Sequence, residues 1–308
     1  MRDADRAERI QTLAGPRPNK SLNPHSVFDK ITVIAPGLLG ASICKAARKR
    51  SLARQIAVWA RRTEAREALL QQDWVDSAPT EIEESCSGSD LVILCAPVKR
   101  IIEIAERIAP HLDSNPIVTD VGSVKSALSR ACAAALEGKA RFVGSHPMAG
   151  SEKTGMENAA ADLFENRACF VTPFPNADAD ALKSVSDFWG ALGSSVIEKS
   201  PEEHDAIVAN VSHLPHLIAS AIATHLAHSY PDSNRYCGNG LRDTTRIAAG
   251  DPTLWREIIS QNRDEILRAL ASFEDELHAL RSSIANEDEF EILKRLADGK
   301  SFREGLDA

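Results

Sequence analysis

The segment EEHDAIVANVSHLPHLIA, residues 202–219, gathers Ser212, His213 and His216 into little more than one helical turn. Ser212 and His216 stand four apart and share a helix face, whereas Leu214, Leu217 and Ile218 point elsewhere. Pro215 lies inside the same stretch, cannot donate back to the Val211 carbonyl, and predicts a kink. An orphan carbonyl beside two histidines reads as the wall of a ligand site; a structural histidine satisfied within a helix is the competing reading. No metal site is expected, because H-x-x-H has no third ligand at matching spacing. A further histidine, His146, follows the run RFVGS within FVGSHPMAGSEKTG, residues 142–155. Imidazole at the end of a strand can act as a base near neutral pH, and a plain His-Pro turn is the alternative. Ser123, in VTDVGSVK (118–125), is either a polar member of the same site or the N-cap of the helix that VKSALSRACAAAL predicts.

Such side chains need elements that hold them. Apolar runs recur as ITVIA (31–35), IAVWA (56–60), LVILCAP (91–97), PIVTDVG (116–122), RFVGS (141–145) and ACFVTPF (168–174), with helix-length stretches between them. Near-continuous apolar strands alternating with helices predict an α/β, doubly wound parallel sheet. The first strand runs into A-P-G-L-L-G, residues 35–40, where a Rossmann-type dinucleotide fold carries G-x-G-x-x-G. Gly37 and Gly40 hold the second and third glycine positions, for pyrophosphate approach and for helix–strand packing. Ala35 stands at the first, which is tolerable provided its φ stays negative, and Pro36 stiffens the turn. The helix from Leu38 and Leu39 would aim free N–H groups at phosphate, and Ala96-Pro97, ending the third run, would line the same cofactor. The second strand ends Trp59-Ala60-Arg61-Arg62, with no carboxylate for the ribose of NAD. Two guanidiniums there suit a 2′-phosphate, so NADP is expected in preference to NAD; two exposed arginines opening a helix is the alternative.

From Ser200-Pro201-Glu202-Glu203, an N-cap, a first-turn proline and a capping-box glutamate, the pattern turns helical. Ile207, Val211, Leu214, Ile218 and Ile222 follow steps of three and four. Trp255, Ile259, Ile266, Phe273, Leu277, Leu280 and Ile284 predict one further long helix beginning near Asp251-Pro252-Thr253. A helix of that length with a broad apolar face needs a partner, which predicts an all-helical dimerisation domain over 201–308 and a homodimer. Residues 30–200 are then the dinucleotide-binding domain, and 1–29 a loose, charged extension without the apolar core of a secretion signal. Of 308 residues 26% are charged, and the net charge of -8 disfavours nucleic acid or a membrane surface as partner. A small anionic substrate held by a few arginines remains compatible with that charge. No run approaches about 18 consecutive apolar residues. The 6 cysteines are scattered without a C-x-x-C pair, which suits buried reduced thiols in a cytoplasmic protein.

Together with GLRDTTRIAAGDPTLW (240–255), the segments around Ser123, His146 and His216 resemble the prephenate dehydrogenases and their arogenate-using relatives of tyrosine biosynthesis. The resemblance runs from Ile31 to about residue 270, with neither a fused chorismate mutase nor an ACT domain expected. It implies oxidative decarboxylation, in which a hydride passes to the nicotinamide and the ring carboxylate leaves as CO2. It implies that His146 accepts the substrate hydroxyl proton, that Ser123 hydrogen-bonds this site, and that Ser212 and His216 face the substrate. It also implies that Arg246 grips a substrate carboxylate, with Ser151, Glu152 and Lys153 at the rim. Asp243, beside Arg242, orients Arg246 or pairs on the surface, and Trp255 closes the pocket or packs in the core. Gly238-Asn239-Gly240-Leu241 departs from the family's glycine-rich run, which bears on pocket shape and substrate preference. His216 favours the keto acid prephenate; arogenate, alone or as a second substrate, is the alternative. A non-catalytic NADP-sensing module is opposed by the joint presence of Ser123, His146, His216 and Arg246. A β-hydroxyacid dehydrogenase is opposed by the lack of its lysine motif.

Overall fold

The structure, a computed structural model, describes residues 28–150, 155–232 and 235–306. The extension expected over 1–29 lies outside the described residues except for Phe28 and Asp29, which already belong to the first strand. Two compact units emerge. One runs to Gly122 and resumes over Leu128–Glu198; the other takes Ser123–Ala127 together with the chain from Lys199 onward.

In the first unit β1 (Phe28–Ile34), β2 (Ala53–Trp59), β3 (Leu91–Leu94), β4 (Ile117–Asp120) and β5 (Arg141–Phe142) form a parallel sheet ordered β2-β1-β3-β4-β5. Every residue of β3 and β4 is buried, as both-face coverage demands. The covering helices include α1 (Leu38–Lys49), α2 (Thr63–Leu70), α3 (Ile82–Cys86), α4 (Val98–Ile108) and α5 (Ser126–Ala135). The order reverses between β1 and β3, and that switch is where such sheets open a ligand crevice at their strand carboxyl ends.

RFVGS does not form one strand. The chain leaves the main sheet after Phe142 and enters a second, three-stranded sheet of β6 (Gly144–Pro147), β7 (Ala168–Thr172) and β8 (Ser195–Glu198). There β6 runs antiparallel to β7, while β7 and β8 are parallel and joined by α6 (Ala179–Ala191). Gly144 permits the bend, because a Cβ would fall 2.6 Å from Thr172 Oγ1 and 2.7 Å from Ser129 Oγ.

The second unit is helical: α7 (Pro201–Val208), a π-helical segment Ala209–His213, α8 (Leu214–Ser229), α9 (Asn239–Thr245), a 3-10 turn Arg246–Ala249, α10 (Pro252–Gln261), α11 (Arg263–Ala285) and α12 (Glu289–Gly305). The predicted capping box opens α7, with Ser200 Oγ accepting from Glu203 N–H and Glu203 accepting from Ser200 N–H. The kink expected at Pro215 takes the form of the π segment just before it, which absorbs the missing donor by widening one turn. The single long helix expected from Pro252 is instead two, broken at Asn262 (φ -110, ψ 31). By length and composition Pro201–Ser229 could cross a membrane, which the count of consecutive apolar residues did not reveal. It carries the buried ionisable side chains of His204, Asp205, His213 and His216, groups that are costly to place in lipid. All 6 cysteines are free thiols, and burial pushes that of Cys86 up to about 11.

The turn after β1 differs from expectation in one respect. Ala35 adopts φ 63, the left-handed region, where the first glycine of the usual motif would sit without strain. Its N–H donates to the Trp59 carbonyl at 2.9 Å and its carbonyl accepts from Gly37 N–H at 2.9 Å, so neighbouring strand and turn hold the strained residue. Ala35→Gly should therefore raise the urea midpoint at unchanged m, by a stability gain of about 0.5–1 kcal/mol. An unchanged or lower midpoint would remove strain from this account.

Candidate functional site

In the first unit a cavity of about 1020 Å³ opens at the β1/β3 switch, lined among others by Gly37, Arg61, Arg62, Ala96 and Pro97. Gly37 is the N-cap of α1 and offers no side-chain cap, so the first N–H groups of that helix are left for another acceptor. A Cβ on Gly37 would meet nothing within 4 Å, whereas one on Gly40 would press on Val33 at 3.1 Å and Cys95 at 3.2 Å. The glycines thus divide as the sequence predicts: Gly37 leaves space for a phosphate and Gly40 lets α1 pack on the sheet. Leu38 and Leu39 open the same helix, half-buried. At the end of β2, Arg66 Nη1 donates to the carbonyls of Ala60 (2.8 Å) and Arg61 (3.0 Å) and stiffens the turn. The side chains of Arg61 and Arg62 are exposed and make no hydrogen bond or ion pair among the described residues. An open helix N-terminus, a glycine cradle and free guanidiniums around one cavity fit a dinucleotide.

His146 lies in β6, opposite Phe170 of β7, and is half-buried. Its neighbour Ser145 is fully buried and donates to the Asp120 carbonyl at 2.6 Å while accepting from Trp189 Nε1 at 2.9 Å. Strand alternation sends the His146 side chain to the face opposite this buried anchor.

The second unit carries the remaining residues. Ser123 is half-buried and precedes α5 by three positions, so it is not that helix's N-cap. Asp205 takes over the capping from α7, accepting from Lys125 N–H at 2.7 Å and Ser126 N–H at 2.8 Å. His204 Nδ1 lies 2.8 Å from the same carboxylate. Burial pushes the Asp205 carboxyl up, yet its bonds from His204 and the Ser126 and Lys125 backbone together outweigh it and hold the group below the usual carboxylate value.

His216 is buried and stacks on Trp255 with ring centroids 3.5 Å apart and planes 9° from parallel. It bonds the Ile247 backbone in the turn that begins with Arg246. Burial pulls the His216 ring down, and the Ile247 bond restores part of the loss. Gly250 makes the stack possible, since a Cβ would sit 2.6 Å from Trp255 Nε1 and 3.0 Å from His216 Cε1. These residues line a cavity of about 500 Å³ within the unit. Arg246 is exposed and has no hydrogen-bond or ion-pair partner among the described residues. Asp243 and Arg242 are exposed too, and no bond joins Asp243 to Arg246, so the orienting role expected of Asp243 finds no contact here. Ser212 is half-buried in the π segment, where the wider turn disturbs its simple four-residue register with His216. Ser151 and Glu152 lie outside the described residues. Among the described residues no cluster of His, Cys, Asp or Glu could hold a metal ion.

Sequence reasoning passed over His204, Asp205 and Asn262, and left His213 unassigned. Asn262 Nδ2 donates to the Asp205 carbonyl at 2.8 Å and lies 3.2 Å from His213 Nδ1; His213 in turn meets Trp255 edge-on at 6.0 Å. The adjacent His-Asp pair in EEHDAIV, directly before the apolar Ala206-Ile207-Val208, was the available signal.

Residues 43–198 match the family described as prephenate dehydrogenase, nucleotide-binding domain, and residues 200–298 match prephenate dehydrogenase, dimerization domain. Prephenate dehydrogenase of Bacillus subtilis is 31% identical over 282 residues, covering 90% of this chain and 76% of that protein. Cyclohexadienyl dehydrogenase of Zymomonas mobilis is 30% identical over 285 residues, covering 91% of this chain and 97% of that one. Among solved structures, prephenate dehydrogenase from A. aeolicus in complex with hydroxyphenyl propionate and NAD+ superposes with a TM-score of 0.85. It is 33% identical, and the match covers 93% of this chain and 100% of that chain.

His213 gives the site a pH signature. Burial lowers its pKa to about 4, an effect that the Asp205 charge partly opposes and His204 and His216 reinforce. The unfolded chain protonates this ring near its ordinary value while the folded protein does not, so its stabilisation is complete above that value and lost as pH falls toward 4. Acidifying from about pH 7 to 5 should cost about 2 kcal/mol of unfolding free energy through this group, and His213→Gln should flatten that slope. A parent slope unchanged by the substitution would show that His213 is not buried neutral.

Proposed function

The chain belongs to the prephenate dehydrogenase family, and on that footing we propose that it oxidises and decarboxylates prephenate to 4-hydroxyphenylpyruvate. A nicotinamide nucleotide, which Gly37, the open α1 N-terminus, Arg61 and Arg62 would hold, would supply the hydride acceptor for the ring carbon that bears the hydroxyl. His146, beside the buried Ser145 anchor, accepts the hydroxyl proton as that carbon becomes a carbonyl. The bond to the ring carboxylate breaks, its electron pair completes the aromatic ring and passes to the carbonyl oxygen, which takes up a proton to become the phenol, and CO2 departs. Ser123 hydrogen-bonds this site. Arg246 clamps a substrate carboxylate, Ser151 and Glu152 take part in substrate binding, and His216 and Ser212 contact the substrate at its side-chain end.

The observation that carries this reading is Arg246, a guanidinium without a partner among the described residues, on a turn tied through Ile247 to the His216–Trp255 stack. A cation left free beside a rigid aromatic floor suits a planar, doubly anionic ring acid. The Zymomonas mobilis relative, a cyclohexadienyl dehydrogenase, supports arogenate as a second substrate. NADP is the preferred cofactor, a reading supported by the free Arg61 and Arg62 side chains and by the lack of a carboxylate ending β2. The A. aeolicus structure holds NAD+, so the preference rests on this chain's own arginines. The match to a dimerization domain, with Leu254, Leu267, Leu277 and Ile284 exposed on the helical unit, supports a homodimer through that unit, working in the cytoplasm.

Initial rates with each substrate and each nucleotide test the reading. His146→Asn should lower kcat by at least about 10²-fold and leave the nucleotide KM unchanged. Retained turnover would exclude His146 as the base. Replacing Arg61 and Arg62 together by Ala should cut kcat/KM for NADP at least about tenfold and spare NAD. An equal loss with both nucleotides would reject the 2′-phosphate role. Arogenate outpacing prephenate by more than about tenfold in kcat/KM would overturn the substrate assignment.

A further inference from the structure

Asn262 interrupts what the apolar pattern reads as one helix, and its side chain does not cap the helix that follows, although asparagine is among the strongest capping residues. The carboxamide turns inward instead, where the residue is buried to 4% exposure. One nitrogen serves two acceptors on two elements: the Asp205 carbonyl on α7 at 2.8 Å and His213 Nδ1 at 3.2 Å. An amide nitrogen carries two hydrogens, so this geometry uses its full donor capacity and requires His213 Nδ1 to be unprotonated, with the proton on Nε2.

His213 closes the π segment, and its ring stands 86° from the Trp255 plane, edge to face. Trp255 lies flat against His216. The same Asp205 whose carbonyl takes the Asn262 bond uses its carboxylate to hold the Lys125 and Ser126 N–H groups just beyond Ser123. A continuous chain of contacts thus joins Ser123's loop, Asp205, Asn262, His213, Trp255 and His216 inside one unit.

We propose that Asn262 is a positioning residue for the substrate site: its carboxamide fixes the His213 tautomer and ring plane, and through them the Trp255–His216 stack, in register with the Asp205-held loop of Ser123. The proposal rests on the assignment of His216 and Ser123 to prephenate binding. Asn262 touches no reacting atom, so its removal should loosen substrate without disturbing the nucleotide. The groups facing His213 are Asp205 and His204 from α7, His216 from α8, and Trp255 and Asn262 at the α10 end. Of these only Asp205 and the two histidines titrate. Replacing the amide by a carboxylate would put a second acceptor against Nδ1 and favour the imidazolium.

Steady-state kinetics of the full-length protein carrying Asn262→Leu or Asn262→Asp, with prephenate and NADP varied separately, provide the test. Asn262→Leu should raise the prephenate KM about tenfold or more and hold the NADP KM within about twofold. Asn262→Asp should add an ionisation between about pH 5 and 8 to the kcat/KM profile, absent from the parent. A parent-like prephenate KM, or equal losses for both ligands with no new ionisation, would overturn the proposal. Should either variant fail to fold, nitrogen-15 NMR of histidine-labelled parent protein decides. An Nδ1 that stays unprotonated down to about pH 5 supports the proposal, and a His213 ring titrating near its ordinary value contradicts it. That last measurement needs no substrate, so it separates failure of this proposal from failure of the prephenate assignment, which parent turnover tests directly.

Discussion

Asp205 sits at 3% exposure with the Lys125 and Ser126 N–H groups and the His204 ring converging on its carboxylate, and Asn262 on its carbonyl. A carboxylate buried without such donors would cost several kcal/mol and would protonate instead of folding into place. The packing of the second unit brings all these donors together. In doing so it holds the Ser123 segment, which is sequence-distant yet belongs to this unit. Asn262 links the same junction to His213, whose ring meets Trp255, which stacks on His216.

The first unit solves a different problem by different means. Its parallel sheet brings the glycine turn and Ala96-Pro97, just beyond β3, to one switch point, and Ser145 is the buried anchor beside which His146 stands in β6. In each unit buried polar bonds hold the backbone, by Ser145 in the first and Asp205 in the second, while three arginines stand exposed. These are Arg61, Arg62 and Arg246, charged groups with no partner of their own among the described residues.

Much of this was legible in the sequence wherever a periodicity or a local motif carried it. The strand–helix alternation, the roles of Gly37 and Gly40 and the capping box at Ser200 needed only neighbouring residues to be read. What escaped depended on partners distant along the chain. The positive φ of Ala35 is enforced by Trp59, the division of RFVGS by the bend at Gly144, and the break at Asn262 by Asp205 and His213. Ser123 reads as an N-cap until Asp205, 82 positions on, is seen to do that work. The apolar spacing from Trp255 to Ile284 survives the interruption because one non-helical residue barely shifts the phase, so hydrophobic periodicity alone could not reveal it.

The proposed reaction couples hydride loss from prephenate to its decarboxylation. Prephenate labelled with carbon-13 in its ring carboxylate, incubated with this protein and NAD or NADP, tests this coupling by simultaneous measurement of labelled CO2 and reduced nucleotide. The account predicts release of labelled CO2 and reduced nucleotide in equal amounts, with 4-hydroxyphenylpyruvate as the organic product. Reduced nucleotide without labelled CO2, or labelled CO2 without reduction, would contradict it.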